Sequence, residues 1–96
     1  MHIIAGSLSF APEDREDVIA SLLEITQLSK KDPGCVEYWW AEDLEQPNTF
    51  RFFECWETQE HFDAHIVMPH EVAFGDRNLS RITGATATMF SAIPEG

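Results

Sequence analysis

The predicted elements follow the order strand, helix, strand, strand, helix, strand, which predicts an α+β domain with an antiparallel sheet. Four short stretches are rich in β-branched and aromatic residues, and two segments between them have helical periodicity. A chain of 96 residues has room for one hydrophobic core. Residues 1–96 are therefore expected to form a single domain.

The first half of the chain predicts a strand and then a helix. Residues 2–10 are mostly β-branched, aromatic or small, and they precede Pro12. From Val18 to Leu28 the apolar side chains recur at helical spacing. Pro12 suits the first turn of this helix, and Pro33 with Gly34 ends it.

The second half predicts a hairpin, a broken helix and a last strand. Residues 35–41 and 49–56 have strand composition and are separated by a polar stretch. Thr58 is the predicted N-cap of the second helix, which Pro69 interrupts. A further helical turn or two is expected up to about Leu79, before a strand over residues 83–93.

Strands two and three carry apolar side chains on both faces of the predicted sheet. In strand three, one face carries Phe50, Phe52 and Trp56, and the other face carries Phe53 and Cys55. In strand two, one face carries Val36, Tyr38 and Trp40, and the other face carries Cys35 and Trp39. Two helices cover one face, which gives the ferredoxin-like βαββαβ arrangement. The other face is expected to pack against a second copy, closing a dimeric α+β barrel.

Charge and composition exclude several classes of partner. Six Lys and Arg residues stand against 17 Asp and Glu, so the formal charge is −11 and neither nucleic acid nor an anionic membrane is expected as a partner. The chain has neither a long apolar run nor a basic leader, which favours a cytoplasmic location. Cys35 and Cys55 are expected to be free thiols; a disulfide across the hairpin is the alternative.

Three of the four histidines lie within ten positions, at His61, His65 and His70. His61 and His65 are four residues apart on the predicted helix, a spacing that can bring two imidazoles to one metal ion. No further ligand follows at a typical spacing, so we expect no metal site. An imidazole without a metal can instead act as a base near neutral pH.

Several short motifs occur in a recognisable order: Lys31-Asp32-Pro33-Gly34-Cys35 before Tyr38, Pro47 with Phe50, Glu54-Cys55-Trp56, Ala64-His65 and Pro69-His70. Together they resemble the antibiotic biosynthesis monooxygenase family, from Ile3 to about Phe90. The resemblance implies a homodimer formed through the sheets and a small apolar cavity between sheet and helices. Some members oxygenate phenols or quinols without a metal or organic cofactor, whereas others degrade haem or isomerise small signalling molecules.

The resemblance implies a catalytic base at His65 or His70. The alternative is that both rings brace the helix break at Pro69 through backbone groups. Expected substrate contacts are the aromatic and polar side chains of Ser7, Tyr38, Phe52, Glu54, Trp56 and Phe74. If Glu54 shares the face of Trp56, its pKa is expected to be raised, unless an arginine such as Arg51, Arg77 or Arg81 pairs with it.

The expected activity is cofactor-independent oxygenation of a small phenolic or quinol-like molecule with O₂. Haem degradation is disfavoured, because Ser7 and His65 stand where haem-degrading members have asparagine and tryptophan. Two alternatives use the same fold. One is a non-catalytic, ligand-binding homodimer, and the other is a small-molecule isomerase that uses the same base.

Overall fold

The computed structural model describes all 96 residues and confirms the predicted order of elements. The strands and helices are β1 (His2–Phe10), α1 (Arg15–Ser29), β2 (Cys35–Glu42), β3 (Thr49–Trp56), α2 (Gln59–His65), α3 (Pro69–Asn78) and β4 (Ile82–Ser91). Short 3₁₀ turns precede α1 and follow α3. The four strands form one antiparallel sheet in the order β2-β3-β1-β4, which is the ferredoxin-like topology.

The helices cover one face of the sheet and bury two groups of apolar side chains. The first group is Phe10, Val18, Leu22 and Phe50, and the second is Ile4, Tyr38 and Trp56. Both groups therefore depend on the alternation of strand residues, which sends every second side chain towards the helices. None of the helices is long and apolar enough to span a lipid bilayer.

The second helical segment breaks where the sequence predicts. Thr58 Oγ1 caps α2 by accepting a hydrogen bond from the backbone N–H of His61 at 3.2 Å. The helix ends at His65, and α3 begins at Pro69, whose missing N–H is tolerated in a first turn. The break brings the His65 and His70 rings side by side, with centroids 5.9 Å apart.

The start of β2 differs from the predicted alternation. The pairing register shifts between Cys35 and Glu37, so that Cys35 pairs with Trp56 and Glu37 pairs with Cys55. This bulge leaves Val36 without a partner and turns Cys35 to the helix face. The two cysteines therefore lie near each other along the hairpin but on opposite faces, so the alternative of a disulfide is wrong and both are free.

The face of the sheet opposite the helices is open and partly apolar. Trp39 stacks on Phe53 with ring centroids 5.7 Å apart, yet 41% of Trp39 is exposed. Phe90, which pairs with Ile3, is 50% exposed on the same face. The prediction that the strands carry apolar side chains on both faces is confirmed.

The turn between α1 and β2 depends on a glycine. Gly34 has a φ of +80°, a backbone conformation that residues with a Cβ rarely adopt. A Cβ at this position would also lie 2.2 Å from Cγ of His61. The turn that carries Asp32 thus requires glycine for both its backbone conformation and its close contact with α2.

Replacing Gly34 with alanine is expected to lower the free energy of unfolding by about 1–3 kcal/mol from backbone strain alone, and by more where the new Cβ overlaps His61. Gly75→Ala in α3 is the matched control, because its Cβ would meet nothing within 4 Å. It is expected to raise stability by roughly 0.5–1 kcal/mol. Urea unfolding followed by tryptophan fluorescence measures both, and effects of the same sign would contradict this account.

Candidate functional site

One carboxylate oxygen joins two histidines from different helices. Asp32 Oδ2 lies 2.7 Å from Nδ1 of His65 and 2.8 Å from Nε2 of His70, and it accepts a hydrogen bond from each ring. Asp32 stands in the turn after α1, His65 is the last residue of α2, and His70 lies in the first turn of α3. The His65 side chain is only 1% exposed, so this arrangement lies inside the protein.

The other nitrogen of His65 faces two further carboxylates. Nε2 lies 3.3 Å from Oε2 of Glu71 and 3.7 Å from Oε1 of Glu54. Nε2 and the Glu71 Oε2 are both buried, and neither has an aligned hydrogen-bond partner. We refer to Asp32, Glu54, His65, His70 and Glu71 as the His65 cluster.

The charge state of His65 follows from its burial and from the carboxylates around it. Burial alone disfavours the imidazolium ion and would lower the pKa of His65. The carboxylates of Glu71 and Asp32, with a smaller contribution from Glu54, outweigh burial and raise that pKa above its ordinary value of 6.5. A positively charged ring is therefore stabilised at this position.

Glu54 lies on β3 and faces the helices, as its shared face with Trp56 predicts. Its Oε1 accepts a hydrogen bond from Nε1 of Trp56 at 3.1 Å. Burial raises the pKa of Glu54 to about 7, and the charge of Glu71 adds to this effect, while His65 and Trp56 oppose it. The carboxyl group thus exchanges its proton near neutral pH.

The alternative of an arginine partner for Glu54 is wrong. Arg51 instead donates to Asp43 at 2.8 Å, on the exposed surface. Arg77 and Arg81 both pair with Asp17 of α1. No cation other than His65 lies against Glu54, which is why burial dominates its titration.

Two aromatic side chains enclose the His65 ring. The ring of Trp56 stacks on it at a centroid distance of 4.5 Å, and Tyr38 approaches it edge-on at 6.0 Å. Trp56 is fully buried, and burial raises the pKa of Tyr38 well above its ordinary value. The neutral Tyr38 and Trp56 therefore form an apolar wall beside a charged ring.

The remaining predicted site residues divide between the two faces of the sheet. Phe52 and Phe74 pack against Trp40 on the helix face, at centroid distances of 4.9 Å and 6.2 Å. Ser7 lies on the opposite face, where its Oγ is 2.8 Å from Oγ1 of Thr86. The structure therefore does not bring Ser7 to the His65 cluster.

A cavity of about 470 Å³ lies between α1 and α3. Its apolar lining comes from Ile25, Leu28, Ala73 and Phe74, and His70 stands at its edge. Of the two predicted catalytic histidines, His70 reaches this cavity and His65 does not. The two rings brace the helix break through the side chain of Asp32, rather than through the backbone groups that the sequence suggested.

His61, whose spacing from His65 could suit a shared metal ion, is not among the potential ligands that converge in the structure. Nδ1 of His61 instead lies 2.8 Å from the Thr58 hydroxyl. Potential ligand atoms of Asp32, His65 and His70 lie within 4.8 Å of one another. Ligands that each lie about 2.0–2.1 Å from a tetrahedral zinc stand roughly 3.3 Å apart. The separations of 2.7 and 2.8 Å are those of hydrogen bonds, so a metal would have to push Asp32 away from both rings.

Sequence reasoning missed two members of the cluster, Asp32 and Glu71. Asp32 stands in the string Lys31-Asp32-Pro33-Gly34-Cys35, whose Pro33 and Gly34 indicate the end of a helix rather than a reactive group. An acidic residue directly before a Pro-Gly turn is a signal that could have drawn attention to it. Glu71 gives no such signal, because an acidic residue in the first turn of a helix is common.

Comparison with known proteins identifies the family. The family model described as antibiotic biosynthesis monooxygenase matches residues 1–76, a stretch that contains every member of the His65 cluster. The chain belongs to the antibiotic biosynthesis monooxygenase family. The resemblance read from the short motifs is thus confirmed.

Individual proteins similar to this chain include a curated relative and solved structures. An uncharacterized Synechocystis protein, sll1783, is 30% identical over 76 residues, which are 79% of this chain and 52% of that protein. The chain thus spans about half the length of this relative. A Deinococcus radiodurans structure, named as a candidate antibiotic biosynthesis monooxygenase, is 27% identical with a TM-score of 0.91, covering 98% of this chain and 94% of that one. Rv0793 from Mycobacterium tuberculosis shares the fold. It is 18% identical with a TM-score of 0.88, covering 98% of this chain and 96% of that one.

The raised pKa of Glu54 predicts how stability depends on pH. The folded protein holds the Glu54 proton more tightly than the unfolded chain, so stability falls as pH rises from about 4.5 to about 7. The loss is expected to reach about 3 kcal/mol. Glu54→Gln removes this titration, so the variant should unfold with a flatter pH dependence and be more stable than the wild type above pH 7.

Glu60→Gln is the control for this measurement. Glu60 is an exposed carboxylate in the first turn of α2, outside both the His65 cluster and the open face of the sheet. This variant is expected to keep the wild-type pH dependence. Urea titrations at several pH values measure the slope, and parallel curves for the wild type and Glu54→Gln would show that Glu54 does not titrate as described.

Proposed function

We propose that this protein oxygenates a small phenolic or quinol-like molecule with O₂, without a metal or organic cofactor. The observation that carries the proposal is the Asp32–His65 pair, buried among aromatic side chains, with Nε2 of His65 lacking an aligned partner. Membership of the antibiotic biosynthesis monooxygenase family supports the general class of activity.

His65 is the proposed catalytic base, and Asp32 positions it. The hydrogen bond to Asp32 keeps the proton on Nδ1, so that Nε2 is the nitrogen left to accept a proton. The surrounding carboxylates stabilise the imidazolium ion that results. Activity should therefore rise with pH, with a midpoint above the ordinary histidine value of 6.5.

The proposed reaction balances without an added reductant. Removing the phenolic proton gives an electron-rich anion that can donate directly to O₂. In the overall step a phenol and O₂ give a quinone and water: two hydrogens leave the ring system, one oxygen atom enters as a carbonyl and the other becomes water. All four electrons come from the substrate, so the protein has only to move protons, exclude water and hold the ring.

The aromatic side chains near His65 suit a planar substrate. Trp56 and Tyr38 already pack around one flat ring, that of His65. Phe52 extends the same face of the sheet, and Phe74 lines the neighbouring cavity with His70. Stacking of this kind binds aromatic molecules without demanding particular substituents.

A second candidate function is a ligand-binding dimer without catalysis. The burial of His65 and the contact of its Nε2 with Glu71 favour this reading, because a ligand must first open the site. A third candidate, an isomerase, would use the same base and consume no O₂. Oxygen consumption therefore separates the first function from the other two.

Oxygen uptake with a panel of phenols and quinols, measured with an electrode and without added metal, is the direct test. His65→Gln is expected to lower turnover by roughly 10²–10⁴-fold, the usual range for a lost general base. His61→Gln makes the same substitution four residues earlier on α2, and it should retain activity. Trp56→Ala should weaken both binding and folding, the latter by roughly 3–5 kcal/mol.

Equal turnover of the His65 and His61 variants would exclude His65 as the base. Substrate binding without oxygen uptake by the wild type would favour the non-catalytic dimer. Conversion of substrate without oxygen uptake would favour an isomerase.

We also propose a homodimer formed through the open face of the sheet. Trp39, Phe53 and Phe90 make that face apolar, and a second copy would remove them from water. The dimer should bury more than ~1,200 Å². Sedimentation velocity is expected to give twice the monomer mass for the wild type and a monomer for Trp39→Glu. Leu44→Glu, at a fully exposed loop position, is the control, and a wild-type monomer at micromolar concentration would refute the dimer.

A further inference from the structure

Glu71 occupies the position at which a ligand would meet the free nitrogen of His65. Its Oε2 lies 3.3 Å from Nε2, and Glu54 lies on the same side at 3.7 Å. The Glu71 oxygen and Nε2 are both buried without an aligned hydrogen bond. The pair is therefore held by charge without an aligned hydrogen bond, whereas buried polar atoms are normally hydrogen-bonded.

The carboxylates around His65 differ in how firmly they are held. Asp32 accepts from two rings, and Glu54 accepts from the Trp56 indole. The Glu71 side chain makes no hydrogen bond and is 29% exposed, against 11% for Glu54 and 7% for Asp32. Glu71 is therefore the carboxylate that can leave the cluster for solvent at the smallest cost.

We propose that the Glu71 carboxylate holds the place of a ligand's oxygen anion, and that a phenolate displaces it from His65 Nε2. The proposal rests on the proposed function in taking Nε2 as the atom that faces the ligand. The positive ring selects an anionic oxygen, and the phenolic substrate class of the proposed function supplies one. Glu71 then sets the affinity, because each ligand must replace its contact.

Glu71 covers the Nε2 side of His65 from the start of α3. Glu71 is in the first turn of α3, next to His70, whose ring is fixed on Asp32. A change in the Glu71 rotamer would open the Nε2 side of His65 while leaving the Asp32 hydrogen bonds in place. The base would therefore stay oriented while the ligand enters.

Binding of 4-nitrophenol under anaerobic conditions tests this proposal without any turnover. Isothermal titration calorimetry compares the wild type with Glu71→Ala, Glu71→Gln and the control Glu60→Ala, which removes an exposed first-turn carboxylate from α2. Glu71→Ala is expected to bind about tenfold more tightly or better, as the replacement of a charge-assisted contact implies. Glu71→Gln should lie between, and Glu60→Ala should match the wild type.

Two further arms locate the ligand and define its chemistry. The nitrogen NMR signals of the His65 imidazole should shift when the Glu71 variants are titrated with 4-nitrophenol. Acetate should compete with 4-nitrophenol in Glu71→Ala, because it supplies the missing carboxylate, but should bind more weakly since it lacks the aromatic ring of the proposed substrate class. Acetate binding as tight as that of the phenol would make the site a general carboxylate site and would overturn the phenolate assignment.

The outcomes separate this inference from the proposed function. Glu71→Gln preserves the size of the side chain and replaces Glu71→Ala if the alanine variant fails to fold. Unchanged or weaker binding of 4-nitrophenol by Glu71→Gln would overturn the placeholder role. Binding that leaves the His65 signals unmoved would do the same. Tight binding by the variants with no oxygen uptake by the wild type would retain the placeholder and refute oxygenation.

Discussion

The site depends on a single carboxylate oxygen that accepts from two imidazoles. Asp32 Oδ2 links the turn after α1 to the end of α2 and the start of α3, and so fixes the two sides of the Pro69 break relative to each other. Removing one partner from a buried charged group costs roughly 3–5 kcal/mol in other proteins. Stability and the proposed chemistry therefore depend on the same contact, and Gly34 supplies the turn that presents it.

Burial separates two otherwise similar pairs on neighbouring strands. Trp56 donates to Glu54, and Trp39 donates to Glu37, in each case across two residues of a strand. The second pair faces solvent, whereas the first lies under α2 against His65. The same hydrogen bond is thus a surface contact in one place and part of a proton-holding cluster in the other, because the helices cover only one face of the sheet.

Local pattern predicted the fold well, and the site only in part. Prolines and periodicity are local signals, so the element order and the shared face of Glu54 and Trp56 could be predicted. The histidine partners of Asp32 could not, because they lie 33 and 38 residues away and only the packed helices bring them together. The bulge at Val36 changed one face assignment, and Ser7 fell on the far face, since register is a property of paired strands.

Asp32 is expected to hold a donated hydrogen on Nδ1 of His65 and on Nε2 of His70. Long-range proton–nitrogen NMR at pH 6.5, the ordinary histidine midpoint, reads it directly. His65 should be mostly protonated on both nitrogens, and Nε2 of His70 should donate a hydrogen to Asp32. Asp32→Asn should change both patterns, while Asp63→Asn, at an exposed position of α2, should change neither. A wild-type His65 lacking the Nδ1 proton, or spectra unaltered by Asp32→Asn, would contradict the account.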